Sequence, residues 1–240
     1  YTADGLQRAD VLARTGAAQE VVVDGRFGVD ALQPASEVFA TGVKDVYRLE
    51  TKEGYSLRLT GNHRVMTARG WVEAQHLQPG DRVHILNRGG GFGTAGTREL
   101  GLVLGWLVGD GTVNQIRAVL SFFGEEKSEL APLFAEAVTA VVDRDRRYSA
   151  TQDRSYPVGI TEILERDEVR VQSDRLRLLA EEYGLDLDKL QVPDVVLRGT
   201  QETQQAFLQA LFTADGTVND GGDKGCSVRL TSVSESLLQD

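Results

Sequence analysis

The sequence predicts two domains of different class: an all-β domain over residues 1–90 and an α+β domain over 98–240, joined by a glycine-rich linker at 91–97. Three observations predict this. Residues 1–90 hold short β-forming runs separated by turn dipeptides, the pattern of an all-β unit. The later residues carry a repeat: Asp-Gly-Thr-Val-Asn stands at 110–114 and again at 215–219, each time after an apolar run of helical length. An internal repeat predicts two-fold organisation. Between the two regions the composition changes at a run rich in glycine, as a linker does.

Taken in order, the first domain shows strand patterns at 21–24, 45–51, 55–59, 63–67 and 82–86. Asp24-Gly25, Glu53-Gly54, Arg69-Gly70 and Pro79-Gly80-Asp81 supply the turns between them. The second domain opens with a helix at 100–109 and a strand at 116–123. An amphipathic helix follows at 125–142, with Leu130, Leu133, Phe134, Ala137 and Val141 as its buried set. Strands are expected at 156–160 and 169–172, then a helix at 173–183 capped by Ser173 or Asp174. The second copy brings a helix at 207–214, a strand at 227–232 and a helix starting at Ser234. One helix–strand–strand–helix unit is complete and the second is expected to be cut short.

The repeated helices carry the chemistry. Aligned on the repeat, Gly105 matches Ala210 and Gly109 matches Ala214, so both helices bear small residues at i and i+4 on one face. Small residues let two backbones approach more closely than usual. Asp110 and Asp215 then fall in the last turns, with Gly111 and Gly216 expected as left-handed C′ residues. Packed in parallel, the helices bring both carboxylates to the negative ends of two dipoles. A hard divalent ion such as Mg²⁺ resolves that conflict, and paired carboxylates with a divalent metal can cut a phosphodiester. One Asp-Gly alone more often just ends a helix. Two identical tails shift the reading toward function.

The segments Leu104-Gly105-Trp106-Leu107-Val108-Gly109-Asp110-Gly111 and Gln209-Ala210-Leu211-Phe212-Thr213-Ala214-Asp215-Gly216 resemble the two LAGLIDADG helices of homing endonucleases. The resemblance implies that Asp110 and Asp215 bind the metal and cut double-stranded DNA. It also makes Lys189, shortly before Pro193, a candidate for catalytic support. Arg117, Arg170 and Arg229 lie on expected strands and are candidate DNA contacts.

The first domain has its own motif. Thr60-Gly61-Asn62-His63 is followed by Gly70-Trp71-Val72-Glu73-Ala74 and by Leu77-Gln78-Pro79-Gly80-Asp81. These resemble the T-x-x-H block of inteins and related Hint domains with the segments that follow it, and Asp4-Gly5 resembles the end of their first block. The implied role is protein splicing. Histidine is the side chain suited to proton delivery near neutral pH, so His63 would protonate the leaving amide nitrogen, and Thr60 would hydrogen-bond the scissile backbone. His76 and His84 have no such company and are expected to be surface or strand residues. Together the motifs resemble an intein carrying an inserted homing endonuclease, a Hint-like domain followed by a LAGLIDADG domain, with flanking host-protein exteins and DNA as partners. Inteins begin with Cys or Ser and end in His-Asn, whereas this chain begins with Tyr1 and ends at Asp240. It is therefore expected to be a fragment that does not splice as it stands. Cys226, the only cysteine, is expected to be a small buried residue.

Composition bounds the rest. The net charge is −10, and residues 1–90 are balanced, so the acidic excess lies wholly in the second domain. That opposes the usual basic face of a nucleic-acid binder and raises the alternative of a catalytically decayed endonuclease insert. Arg144, Arg146 and Arg147, interleaved with acids, are expected to be a solvated surface. A single cysteine excludes an intramolecular disulfide framework and fits a reducing cytosol; a cytoplasmic location and a monomer are expected. No apolar run suits a membrane span. Gly91-Phe92-Gly93-Thr94-Ala95-Gly96 matches the G-x-G-x-x-G of a dinucleotide-binding turn, with Glu125 as ribose acid. That alternative explains neither the repeat nor the Thr60/His63 block.

Overall fold

Short β-runs bounded by glycine turns have few ways to satisfy their backbone, and here they close as hairpins. A computed structural model describes residues 1–16, 18–24, 31–85, 92–142, 157–222 and 225–240. The chain is a mixed α/β protein with small antiparallel sheets. It divides into one unit of Arg8–Gly90 and another made of Tyr1–Gln7 with Gly91–Asp240.

In the Arg8–Gly90 unit, β1 (Gln19–Val22) pairs with β2 (Leu32–Ala35), β3 (Val46–Glu50) with β4 (Ser56–Thr60), and β5 (Arg64–Thr67) with β6 (Gly70–Glu73). Gly70 closes the last hairpin at φ 97°, a left-handed conformation open to glycine, and its carbonyl accepts from Thr67 Oγ1 at 2.8 Å. Two features depart from the all-β expectation. A helix, α1 (Ala9–Thr15), precedes the strands, stopped by left-handed Gly16. The expected strand at 82–86 contributes, among its described residues, only an isolated bridge from Val83 to Thr67. β2 escaped the sequence reading because Pro34 interrupts its pattern, although an edge strand tolerates proline.

The other unit is built around α2 (Arg98–Val108) and, late in the chain, α7 (Gln201–Asp215). Thr97 and Thr200 cap them, accepting from Leu100 N and Thr203 N. Between them lie β7 (Thr112–Val113), β8 (Ala118–Phe123), α3 (Glu126–Glu129), α4 (Ala131–Val142), β9 (Ile160–Ile163), β10 (Glu168–Gln172), α5 (Asp174–Glu182) and α6 (Asp194–Leu197). After α7 come β11 (Gly216–Asp220), β12 (Cys226–Leu230) and α8 (Glu235–Gln239). An antiparallel sheet runs β7-β8-β10-β9, and β11 pairs with β12 separately.

Apolar residues of β8 and β10 face α2 and α4. Trp106 stacks on Phe122 with centroids 4.7 Å apart, and Phe134 closes the cluster. Val103, Leu104, Trp106, Leu107 and Val108 have no exposed surface, so α2 is the centre of this core. Burial on that scale stabilises by about 1.5–3 kcal/mol per large side chain.

The helix expected at 125–142 is two helices, broken before Pro132, whose missing N–H suits the first turn of a new helix. Phe134 and Ala137 are buried as expected, whereas Leu133 is exposed, and Ala131, Ala135, Val138 and Val142 complete the buried face of α4. Of the strand expected at 156–160 only Ile160 is strand, in β9, and Tyr156 lies outside the described residues. Ser173 is the cap of α5. Cys226 is exposed rather than buried, on the hairpin β11–β12. Arg144, Arg146 and Arg147 lie outside the described residues.

The expected linker at 91–97 is part of the second unit from Gly93 on. Gly93 N and Ala95 N donate to the carbonyls of Gly199 and Arg198 at 3.0 and 3.1 Å. Those two amides are engaged by protein carbonyls and are not free to cradle phosphate, and Gly91 lies outside the described residues. Tyr1–Gln7 also belongs here: Leu6 N donates to Leu197 O at 3.0 Å, and Asp4 pairs with Arg198.

Candidate active site

The small-residue stripe does what the repeat predicts. A Cβ placed on Gly101 would lie 2.2 Å from Thr203 O, one on Gly105 2.3 Å from Phe207 O, and one on Gly109 2.6 Å from Ala214 Cβ. Contacts advance together along both helices, so α2 and α7 are parallel and their backbones touch. Gly101 and Ala206 extend the stripe by a turn beyond the residues read from the sequence.

Asp110 and Asp215 therefore emerge from the same end of the pair. A Cβ on Gly109 would lie 3.6 Å from Asp215 Oδ2, so the second carboxylate sits against the peptide that leads into Asp110. Gly111 and Gly216 are not left-handed, contrary to expectation. They are glycine for space: a Cβ would meet Leu107 Cα at 2.5 Å in one case and Phe212 O at 2.2 Å in the other. The chain turns back so tightly over each helix end that no side chain fits.

Lys189 is brought to this point from the loop after α5. Its Nζ donates to Gly109 O at 2.5 Å and to Gly111 O at 2.6 Å, bracketing Asp110. Ser234 Oγ, the cap of α8, donates to Leu190 O at 3.0 Å and fixes the neighbouring residue. Partial burial pushes the Asp110 carboxyl above the usual carboxylate range, with the Asp215 and Glu126 charges adding to the rise and Lys189 opposing it. Burial lowers the Lys189 ammonium, against the pull of Asp215 and Asp110. Asp110 is nonetheless exposed at the surface, so solvent reaches the carboxylate pair.

The donor set fits a hard cation. The two carboxylates offer oxygen, the neighbouring carbonyls of Gly109 and Gly111 being taken by Lys189, and one ammonium balances two acids. Among the described residues no group of three His, Cys, Asp or Glu forms a metal cluster. Two protein carboxylates leave coordination positions to water and phosphate oxygen, as Mg²⁺ favours.

Beside Asp110 a groove of about 310 Å³ crosses the outer face of the four-stranded sheet. Thr112, Arg117, Ser121, Arg166, Glu168 and Arg170 line it. Arg117 and Arg170 thus meet in one place, whereas Arg229 stands opposite Thr217 on the hairpin after α7, outside that groove. The sequence reading missed Glu168, Ser121 and Arg166. The alternation Glu168-Val169-Arg170-Val171-Gln172 carries the signal for Glu168, since it sends Glu168 and Arg170 to one face.

In the Arg8–Gly90 unit, Thr60 ends β4 and its hydroxyl donates to Asn62 Oδ1 at 2.9 Å. His63 is exposed, with its N–H donating to Thr60 O and its carbonyl accepting from Ala74 N. The block is a tight turn that presents the His63 ring to solvent. His84, expected to be a surface or strand residue, meets Asp24 at 2.7 Å.

Residues 202–240, which include Asp215, match the family of LAGLIDADG-like domains. That match supports a homing endonuclease. The chain is also similar to the ribonucleoside-diphosphate reductase NrdEB subunit alpha of Bacillus subtilis, at 24% identity over 100% of this chain and 24% of that protein. It is 33% identical to the replicative DNA helicase DnaB of Rhodothermus marinus, over 83% of this chain and 22% of the helicase. Protein RecA of Mycobacterium bovis is 32% identical over 45% of this chain and 15% of its own length. The chain thus spans about a quarter or less of each of these relatives.

Proposed function

We propose that this chain is the nuclease-bearing part of an intein, a self-splicing protein insert, and that it cuts double-stranded DNA with Asp110 and Asp215 in the presence of Mg²⁺. The observation that carries the DNA-cutting reading is the convergence of the two carboxylates and Lys189 at the abutting ends of α2 and α7. A divalent cation, when bound, offsets charge on the scissile phosphate and makes water nucleophilic at neutral pH. Asp110 and Asp215 would hold it from two sides. Lys189 fixes the peptides around Asp110 and adds positive charge where the phosphate would lie. The groove lined by Arg117, Arg166 and Arg170 would take the DNA backbone and base edges. Three arginines against Asp110 and Glu168 make that lining basic although the chain is acidic, which favours an active over a decayed nuclease.

The insert reading is supported by the relatives' names. A reductase subunit, a replicative helicase and a RecA protein are differently named proteins, yet each matches this chain over a minor part of its length. One element carried by different hosts accounts for that. Thr60 and His63 would serve the splicing step.

The test for cutting is Mg²⁺-dependent linearisation of a plasmid library with randomised inserts; no enrichment of a cut sequence by the wild-type protein would contradict the reading. For splicing, His63→Ala in a precursor reconstructed around this chain is expected to slow N-terminal bond cleavage by roughly 10²–10⁴, while DNA cutting stays unchanged. Normal cleavage in that variant would remove His63 from the mechanism.

A further inference from the structure

Glu168 is an acid in a place where a DNA-binding groove should not want one. Its side chain is 4% exposed, on the central strand β10, and it is the buried carboxylate of the groove lining. It accepts from Ser121 Oγ at 2.9 Å, from Arg170 Nε at 2.6 Å and from Arg170 Nη2 at 3.0 Å, with Arg166 Nη1 at 3.9 Å. Arg170 stands opposite Ser121 in the β8–β10 register, so all three side chains lie on the groove face.

The geometry of the fork decides what this means. A guanidinium has five N–H donors in one plane. Glu168 takes the side-on pair, one from Nε and one from Nη2. The end-on pair, from Nη1 and the second Nη2 hydrogen, remains. Arg170 lines the groove and its side chain is 22% exposed. Two parallel N–H donors on a fixed plane match the O6 and N7 acceptors of guanine in the major groove. A free arginine would lose rotamer entropy on making the same contact, and it would equally reach phosphate.

We propose that Glu168 is a positioning residue that locks Arg170 with its outer edge presented, and that this pair reads one guanine of the DNA target. The inference rests on the DNA reading given above. The Arg170 hydrogen bond also holds the Glu168 carboxyl below the usual carboxylate range against its burial, so the lock persists through the physiological range. An acid in the groove then costs little attraction for DNA, because Arg170 neutralises it, and it adds selectivity in return.

The probe is a fully randomised duplex DNA pool, bound by the protein without divalent metal so that binding is read apart from cutting. Wild type is expected to enrich a site with one guanine preferred roughly 5- to 150-fold, the range of a bidentate arginine contact. Glu168→Gln should lose that one preference while the other positions of the site and affinity for unselected duplex remain. Arg170→Lys keeps the charge and leaves Glu168 paired, yet should lose the same guanine. In the double variant the second change should add nothing at that position, since the two residues act as one unit. A merely structural Glu168 would instead weaken every position together. Retention of the guanine by Glu168→Gln would overturn the positioning role, and retention by Arg170→Lys would do so even if Glu168→Gln failed to fold. A wild-type protein that enriches no sequence would show that the DNA reading itself is at fault.

Discussion

Asp110 is opposed in its ionisation by partial burial first, then by the Asp215 and Glu126 carboxylates. Its folded-state pKa is raised, so its contribution favours the fold fully below the unfolded carboxylate value and is lost as pH rises through the folded value. At neutral pH the ionised group costs stability. Asp110→Asn should therefore stabilise the fold at pH 7 by less than about 1 kcal/mol, since solvent screens an exposed charge, and the melting temperature should rise accordingly. The gain should fade as pH drops below the usual carboxylate range. Thermal melts across pH check this; a destabilised variant at neutral pH would mean that the carboxylates do not repel. Mg²⁺ should raise the wild-type melting temperature and leave Asp110→Asn and Asp215→Asn unmoved. Both aspartates were legible because the repeat marks them as a pair. Lys189 was legible only as a lysine near Pro193, because the contact that defines it spans 80 residues. Glu168 was hidden by its own charge, since a buried acid reads as a surface one until its partner is known.

At the scale of elements, the pair α2 and α7 sets the distance between the carboxylates. Gly105→Ala would force a Cβ to 2.3 Å from Phe207 O, which the backbone can relieve only by parting the helices. We expect a loss of roughly 1–3 kcal/mol, the scale of overpacking, accompanied by loss of DNA cutting as Asp110 moves away from Asp215. Leu133→Ala, on the exposed face of α4, should change stability by no more than about 0.5 kcal/mol. Chemical denaturation of both variants checks the contrast; equal effects would contradict the packing assigned to the stripe. The stripe and its direction could be read from spacing, because close approach demands small residues at helical intervals. The roles of Gly111 and Gly216 could not. An Asp-Gly after a helix has the same letters whether glycine serves a left-handed cap or gives room for a returning chain. The break before Pro132 was missed because the apolar period runs on through it.

At the scale of the whole chain, composition changes near residue 90 and so does architecture, from paired antiparallel strands among the described residues to a helix-centred α+β unit. The sequence could not reveal that Tyr1–Gln7 joins the later unit, since the Asp4–Arg198 pair spans 194 residues. Net charge sums over surfaces that never meet, so it does not show that the groove beside Asp110 gathers Arg117, Arg166 and Arg170. Within the described residues no helix is long and apolar enough to cross a membrane. The central claim is that Asp110 and Asp215 form one metal-dependent cutting centre. Its most direct measurement is linearisation, with and without Mg²⁺, of a plasmid carrying a sequence recovered from the library, by wild type, Asp110→Asn and Asp215→Asn. Cutting is expected from wild type only, and only with Mg²⁺, while both variants still bind the same DNA. Cutting that survives in either variant, or that proceeds without divalent metal, would contradict it.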